Sequence, residues 1–140
     1  MDIISGIQSP SYGEEGLKDK TFCSLMRLLG FRNQIRINHW QTCSFAEHKM
    51  TDELLGILDS QIDLIGECAL GMFEKPQINT VSNNISDIRI ASSKFILDEI
   101  DKEINQLIEE YKITSFECMI SLLGDFSAEI KKFKYLSTLE

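Results

Sequence analysis

The sequence predicts an all-α fold: one bundle of four amphipathic helices, with a longer connection between the second and the third. Three observations predict it. Apolar residues recur at helical spacing in four separate stretches. Only 2 prolines and 8 glycines punctuate 140 residues, so long uninterrupted elements are expected. The links after the first and third stretches are short, whereas the segment from Glu74 to Asn84 carries Pro76 and three asparagines. Such a segment is long enough to cross a bundle.

Residues 1–16 contain Ser9-Pro10, Gly13 and Gly16 and no apolar period. They are expected to form an irregular N-terminal arm, leaving residues 17–140 as the helical domain. From Leu17 to about Thr42 the apolar positions are Phe22, Leu25, Met26, Leu29, Ile35, Ile37 and Trp40. Gly30 is a tolerated interruption of this helix, at a cost of about 1 kcal/mol relative to alanine. Thr42-Cys43-Ser44 then links to a second helix over about Ala46–Phe73, with Leu54, Leu55, Leu58, Ile62, Ile65 and Leu70 as its stripe. The third helix is expected over roughly Ser86–Lys112, with Ile90, Phe95, Ile96, Ile100, Ile104, Leu107 and Ile108 inward. The fourth is expected over about Thr114–Thr138, with Phe116, Met119, Ile120, Leu123, Phe126, Ile130, Phe133 and Leu136.

Composition narrows the function. The net charge is −8, from 22 acidic and 14 basic residues, which disfavours a phosphate-backbone partner. Lys131, Lys132 and Lys134 form a small basic cluster, too small for a nucleic-acid footprint. No apolar run reaches the roughly 18 residues a membrane span needs. The N-terminal residues lack the basic flank and apolar core of a secretory signal, so a cytoplasmic location is expected. Cys23, Cys43, Cys68 and Cys118 contain no C-x-x-C pair and are expected to act as small buried hydrophobes. A Gly-rich phosphate loop, a G-x-S-x-G elbow and an H-E-x-x-H motif are all absent from the sequence.

The residues that carry chemistry cluster around the two histidines, His39 and His48. After His48 come Asp52 at +4, Asp63 at +15 and Glu67 at +19. The four-residue steps stack His48 over Asp52 and Asp63 over Glu67. The 11-residue step from Asp52 to Asp63 returns to within roughly 20° of the same helix face. It also separates the two pairs by about 16 Å, too far for one metal. Two copies of this helix packed antiparallel would solve the problem. His48 and Asp52 of one would then meet Asp63 and Glu67 of the other, about a two-fold near residues 57–58, with Gly56 allowing close approach. Imidazoles with carboxylates suit iron, and less selectively manganese or zinc. His39, at the end of the preceding helix, is placed to complete the set. The plain alternative is a solvated acidic face with two unrelated histidines.

The run Asn38-His39-Trp40-Gln41, followed by His48, Asp52, Asp63 and Glu67, resembles the Dps family of mini-ferritins, within the ferritin-like superfamily. Specific motifs cover roughly residues 20–73, and the compact pattern looks closest to small Dps-like proteins of phages and large DNA viruses. The resemblance implies a ferritin-like four-helix bundle. It implies that His39, His48 and Asp52 of one subunit bind metal together with Asp63 and Glu67 of its two-fold mate, with Trp40 beside the site. The interval from His39 to His48 is nine residues, shorter than is usual in the family. It further implies Fe(II) oxidation by peroxide or dioxygen, a ferroxidase-type activity, and a homodimer able to build a dodecameric cage that stores iron. A viral relative would sit in the host cytoplasm or the virion. The competing expectation is a ferritin-like assembly or virion-associated protein whose metal site is vestigial or structural.

Overall fold

The computed structural model describes residues 9–74 and 91–139, with side chains from Gly16 onward. These residues form four helices and no strand: α1 (Ser9–Gln41), α2 (Phe45–Phe73), α3 (Ser93–Lys112) and α4 (Glu117–Leu136). The expected all-α bundle of four helices is the observed one. The long connection and Ile90 fall within residues 75–90, outside the described residues.

Two boundaries differ from expectation. α1 begins at Ser9, so residues 9–16 of the expected arm are helical. Pro10 occupies the first turn, where a missing N–H costs nothing, and the helix runs on through Gly13, Gly16 and Gly30 without a break. α3 begins at Ser93 rather than near Ser86, because Ser92 caps it in an extended conformation and accepts from the Phe95 N–H.

Side-chain pairs fix the direction of each helix. Along α1 and α3, Thr21 meets Tyr111, Arg27 meets Glu103, and Asn38 meets Ser93, so these helices are antiparallel. α2 runs antiparallel to α1 through the three-residue link, and its last residue, Phe73, packs against Phe116 at the start of α4. Each helix packs on two neighbours, in the order α1, α2, α4, α3 around the bundle. α2 and α3 therefore sit diagonally, and α2 ends at the opposite end of the bundle from where α3 starts. That is the topology of a bundle with one crossover connection.

The core runs the length of this arrangement through Leu28 and Ile35 of α1, Leu54, Leu58 and Ile65 of α2, Ile100 and Ile104 of α3, and Leu123 and Phe126 of α4. Truncating any of these leucines or isoleucines to alanine should cost about 2–5 kcal/mol. Several expected core positions point elsewhere: Leu29, Trp40 and Phe95 are exposed, while Leu28 and Leu97 are buried in their place. The cysteines also depart from expectation, since Cys23 and Cys68 are half-buried and Cys43 and Cys118 exposed. Among the described residues no helix is long and apolar enough to cross a membrane.

Polar bonds tie the helices at three levels. The Thr21 hydroxyl donates to the Leu17 carbonyl at 2.7 Å, so the buried Tyr111 hydroxyl donates to Thr21 Oγ1 at 2.6 Å. Arg27 forks onto the Glu103 carboxylate at 2.7 and 2.9 Å, which raises the pull of its guanidinium on its proton. Lys131 and Lys134 of α4 both reach the buried Asp101 of α3.

Candidate metal-binding site

The link between α1 and α2 is only Thr42, Cys43 and Ser44. It is tight because five polar side chains lock it. Ser44 caps α2, its side chain accepting from the Glu47 N–H at 3.1 Å. The Glu47 carboxylate accepts from the hydroxyl of Thr42 at 2.6 Å and from that of Ser93 at 2.8 Å. Asn38 donates to the Ala91 carbonyl at 2.7 Å and to Ser93 Oγ at 3.2 Å. The end of α1, the start of α2 and the start of α3 are thereby held together around a polar cavity of about 350 Å³.

This link brings His39 and His48 ring to ring, with centroids 4.0 Å apart and planes 19° from parallel. His39 Nδ1 lies 3.0 Å from the His48 carbonyl oxygen and 3.0 Å from Thr51 Oγ1. His48 Nδ1 lies 3.1 Å from the His39 carbonyl oxygen. A carbonyl oxygen only accepts, so each neutral ring carries its proton on Nδ1 and donates it. The Thr51 hydroxyl has its own acceptor, the Glu47 carbonyl at 2.7 Å, and can receive from His39. Both Nε2 atoms are left with a lone pair. Imidazoles that bind metals are held this way, one nitrogen donating to the protein and the other free for the ion. His39 is buried and His48 exposed, so the pair spans the boundary between core and solvent.

Asp52, one turn beyond His48, is exposed. Asp63 and Glu67 are also exposed and lie along a groove of about 460 Å³ between α1 and α2, floored by Phe22, Leu25, Met26, Leu29, Ile62 and Leu70. Asp59 lines the same groove, but its carboxylate is taken by Arg32 at 2.8 and 3.1 Å. Asp52, Asp63 and Glu67 have no hydrogen bond or ion pair among the described residues. Like charges one turn apart, as at Asp63 and Glu67, cost a few tenths of a kcal/mol on a helix surface.

Of the five predicted residues, one chain brings His39 and His48 into contact, with Asp52 one turn beyond His48 and Asp63 and Glu67 further along α2. Among the described residues no three His, Cys, Asp or Glu side chains converge on a common point. Trp40 ends α1 with 72% of its surface exposed, and Phe45 opens α2 with 78% exposed. Thr51, Glu47 and Ser93 support the histidine pair and were not singled out by sequence. Ser44-x-x-Glu47 is a capping-box pattern and Thr51 follows His48 by three positions, so both could have been noticed. Ser93 carries no such signal.

No curated protein and no solved structure matches the chain. One family model does, over residues 39–136, a stretch that starts at His39 and includes His48, Asp52, Asp63 and Glu67. The chain belongs to that family, DUF5856, a family of unknown function.

Proposed function

We propose that two copies of this chain form a mini-ferritin-like site that binds and oxidises Fe(II). His39, His48 and Asp52 come from one copy, and Asp63 and Glu67 from the other. The observation that carries the reading is the stacked histidine pair, whose reciprocal Nδ1 bonds leave the Nε2 of each neutral ring uncommitted. Three further features support it. The bundle has a single crossover, as ferritin-like proteins have. The three carboxylates are exposed and without hydrogen-bond or ion-pair partners among the described residues, and Asp63 and Glu67 border an apolar groove that a second copy can cover. Gly56, near the expected two-fold, has nothing within 4 Å of where a Cβ would stand, so a partner backbone can come close.

Iron is the substrate in this scheme. Peroxide takes the electrons of two Fe(II) ions and, with two protons, leaves as water; dioxygen is the alternative oxidant. The mixed nitrogen and oxygen ligands accept manganese or zinc less selectively. Dimers closing into a dodecameric cage would retain the ferric product, and the acidic surface would draw cations toward it.

Anaerobic titration with Fe(II), followed by peroxide, tests the reading by comparing the wild type with Asp63→Ala. The expected result is saturable binding at about two sites per dimer, with a ferric absorbance that the variant loses. Absence of specific binding in the wild type would overturn it. The second reading, an assembly or virion component built on the same bundle, would then gain. It is favoured by Trp40 and Phe45, exposed together at the histidine end.

A further inference from the structure

Among the described residues the exposed Trp, Phe and Tyr side chains are Trp40, Phe45, Phe95 and Tyr135, and all four lie at one end of the bundle. Trp40 and Phe45 flank the three-residue link between α1 and α2. Phe95 stands in the first turn of α3, which Asn38 and Glu47 tie to that link through Ser93. Tyr135 stands in the last turn of α4, which Lys134 holds to Asp98 and Asp101 near the start of α3. The cations are distributed in the same way. Arg36, Lys49 and Lys94 have no ion pair among the described residues, and each accompanies an exposed ring. Arg36 is one turn before Trp40, Lys49 one turn after Phe45, and Lys94 next to Phe95. At the opposite end, by contrast, Lys20 and Lys112 are paired with Glu110 and Glu109. Acids near the aromatic end are engaged: Glu47 accepts from Thr42 and Ser93, Asp98 holds Lys134, and Glu99 holds Lys102. Asp52 and Glu53 stand about 10–12 Å beyond Phe45 along α2.

We infer that this end of the bundle docks on an anionic phospholipid surface, with Trp40, Phe45 and Phe95 entering the headgroup layer and Arg36, Lys49 and Lys94 meeting lipid phosphates. Exposed rings beside unpaired cations match that layer, which is apolar on one side and charged on the other. A peptide is a poorer fit. Peptides are recognised in apolar grooves or along sheet edges, and the cavity at this end, lined by Asn38, Gln41, Thr42 and Glu47, is polar. The net charge of −8 does not oppose the contact. α3 has 20 residues and spans about 30 Å, whereas charges are screened over about 8 Å at physiological salt, so acids at the opposite end go unfelt. At longer range the same asymmetry turns the cationic end toward a negative surface. The contact is peripheral, since among the described residues no helix is long and apolar enough to cross a membrane. It goes beyond the iron reading and uses none of Asp52, Asp63 and Glu67.

The test is flotation of the full-length chain with vesicles, either of phosphatidylcholine alone or of phosphatidylcholine with phosphatidylserine. A chelator is present throughout, so the outcome does not depend on iron. The chain has a single tryptophan, Trp40, so its fluorescence reports this end alone. The wild type should float with the anionic vesicles and not with the neutral ones, and its emission should shift to the blue. Raising the salt from ~0.15 to ~1 M should release it. Arg36→Gln with Lys49→Gln and Lys94→Gln should weaken binding on the order of 100-fold, roughly fivefold per charge. Trp40→Ser with Phe45→Ser should also lose flotation, whereas Lys20→Gln with Lys112→Gln at the opposite end should keep it. Both tip variants change exposed or half-buried side chains, and an unchanged helical circular dichroism spectrum verifies that they fold. Equal binding to neutral and anionic vesicles, or no binding to either, would overturn the inference. So would a change in the mass of the vesicle-free protein on Trp40→Ser with Phe45→Ser, which would assign this end to a second copy of the chain.

Discussion

His39 and His48 hold each other: each ring donates from Nδ1 to the other residue's carbonyl oxygen, at 3.0 and 3.1 Å, while the rings stack. The bonds define a tautomer. In the neutral form both rings should carry the proton on Nδ1, the reverse of the form that free histidine prefers. Long-range nitrogen–proton NMR correlations at alkaline pH will report this directly. A protonated Nε2 on either ring would mean that its Nδ1 bond does not persist in solution.

An inter-subunit site makes a prediction about mixtures. Chains carrying Asp63→Ala with Glu67→Ala retain the histidine half of the site, and chains carrying His39→Ala with His48→Ala retain the carboxylate half. Each variant alone should bind no Fe(II) specifically. Co-refolded, the mixed dimers should recover one intact site each, built from His39, His48 and Asp52 of the first chain and Asp63 and Glu67 of the second. Failure to recover any binding, with mixed dimers verified by mass, would refute a shared site.

Much of the fold was legible because apolar spacing reports burial directly. α2 kept its stripe, with Leu54, Leu55, Leu58, Ile62 and Ile65 all buried. α1 was read less well. Its apolar residues serve two faces, one toward the core at Leu28 and one toward the groove at Met26 and Leu29, and spacing alone does not rank them. The spacing of Asp52, Asp63 and Glu67 along one helix face needed nothing beyond helix geometry. The stacking of His39 on His48 was not legible. It depends on a link held by Glu47 and Ser93, a contact between residues 46 apart in the chain.

Thr21 and Tyr111 should respond unequally to losing the same hydrogen bond. In Thr21→Val the buried Tyr111 hydroxyl keeps its proton and has no acceptor, at a cost of about 1–3 kcal/mol. In Tyr111→Phe the Thr21 hydroxyl still donates to the Leu17 carbonyl, so only the net value of one bond is lost, about 1 kcal/mol. Urea denaturation with unchanged slopes will measure both. A larger cost for Tyr111→Phe would show that the proton lies the other way.

Asp101 should make the bundle sensitive to acid. Burial raises its carboxyl, but the hydrogen bonds from Lys134 at 3.1 Å and Lys131 at 3.2 Å, with their charges, outweigh burial and leave it below the usual carboxylate range. The unfolded chain, with a carboxyl near an ordinary value of about 3.9, therefore takes up a proton before the folded one does. The stabilisation is fully present above that value and is lost as the pH falls through the lower, folded value. Asp101→Asn should cost roughly 1–3 kcal/mol at neutral pH. It should also flatten the acid limb, so that the two stability curves converge as pH drops below about 4. A constant offset between them at every pH would show that the lysines hold Asp101 by shape and not by its charge.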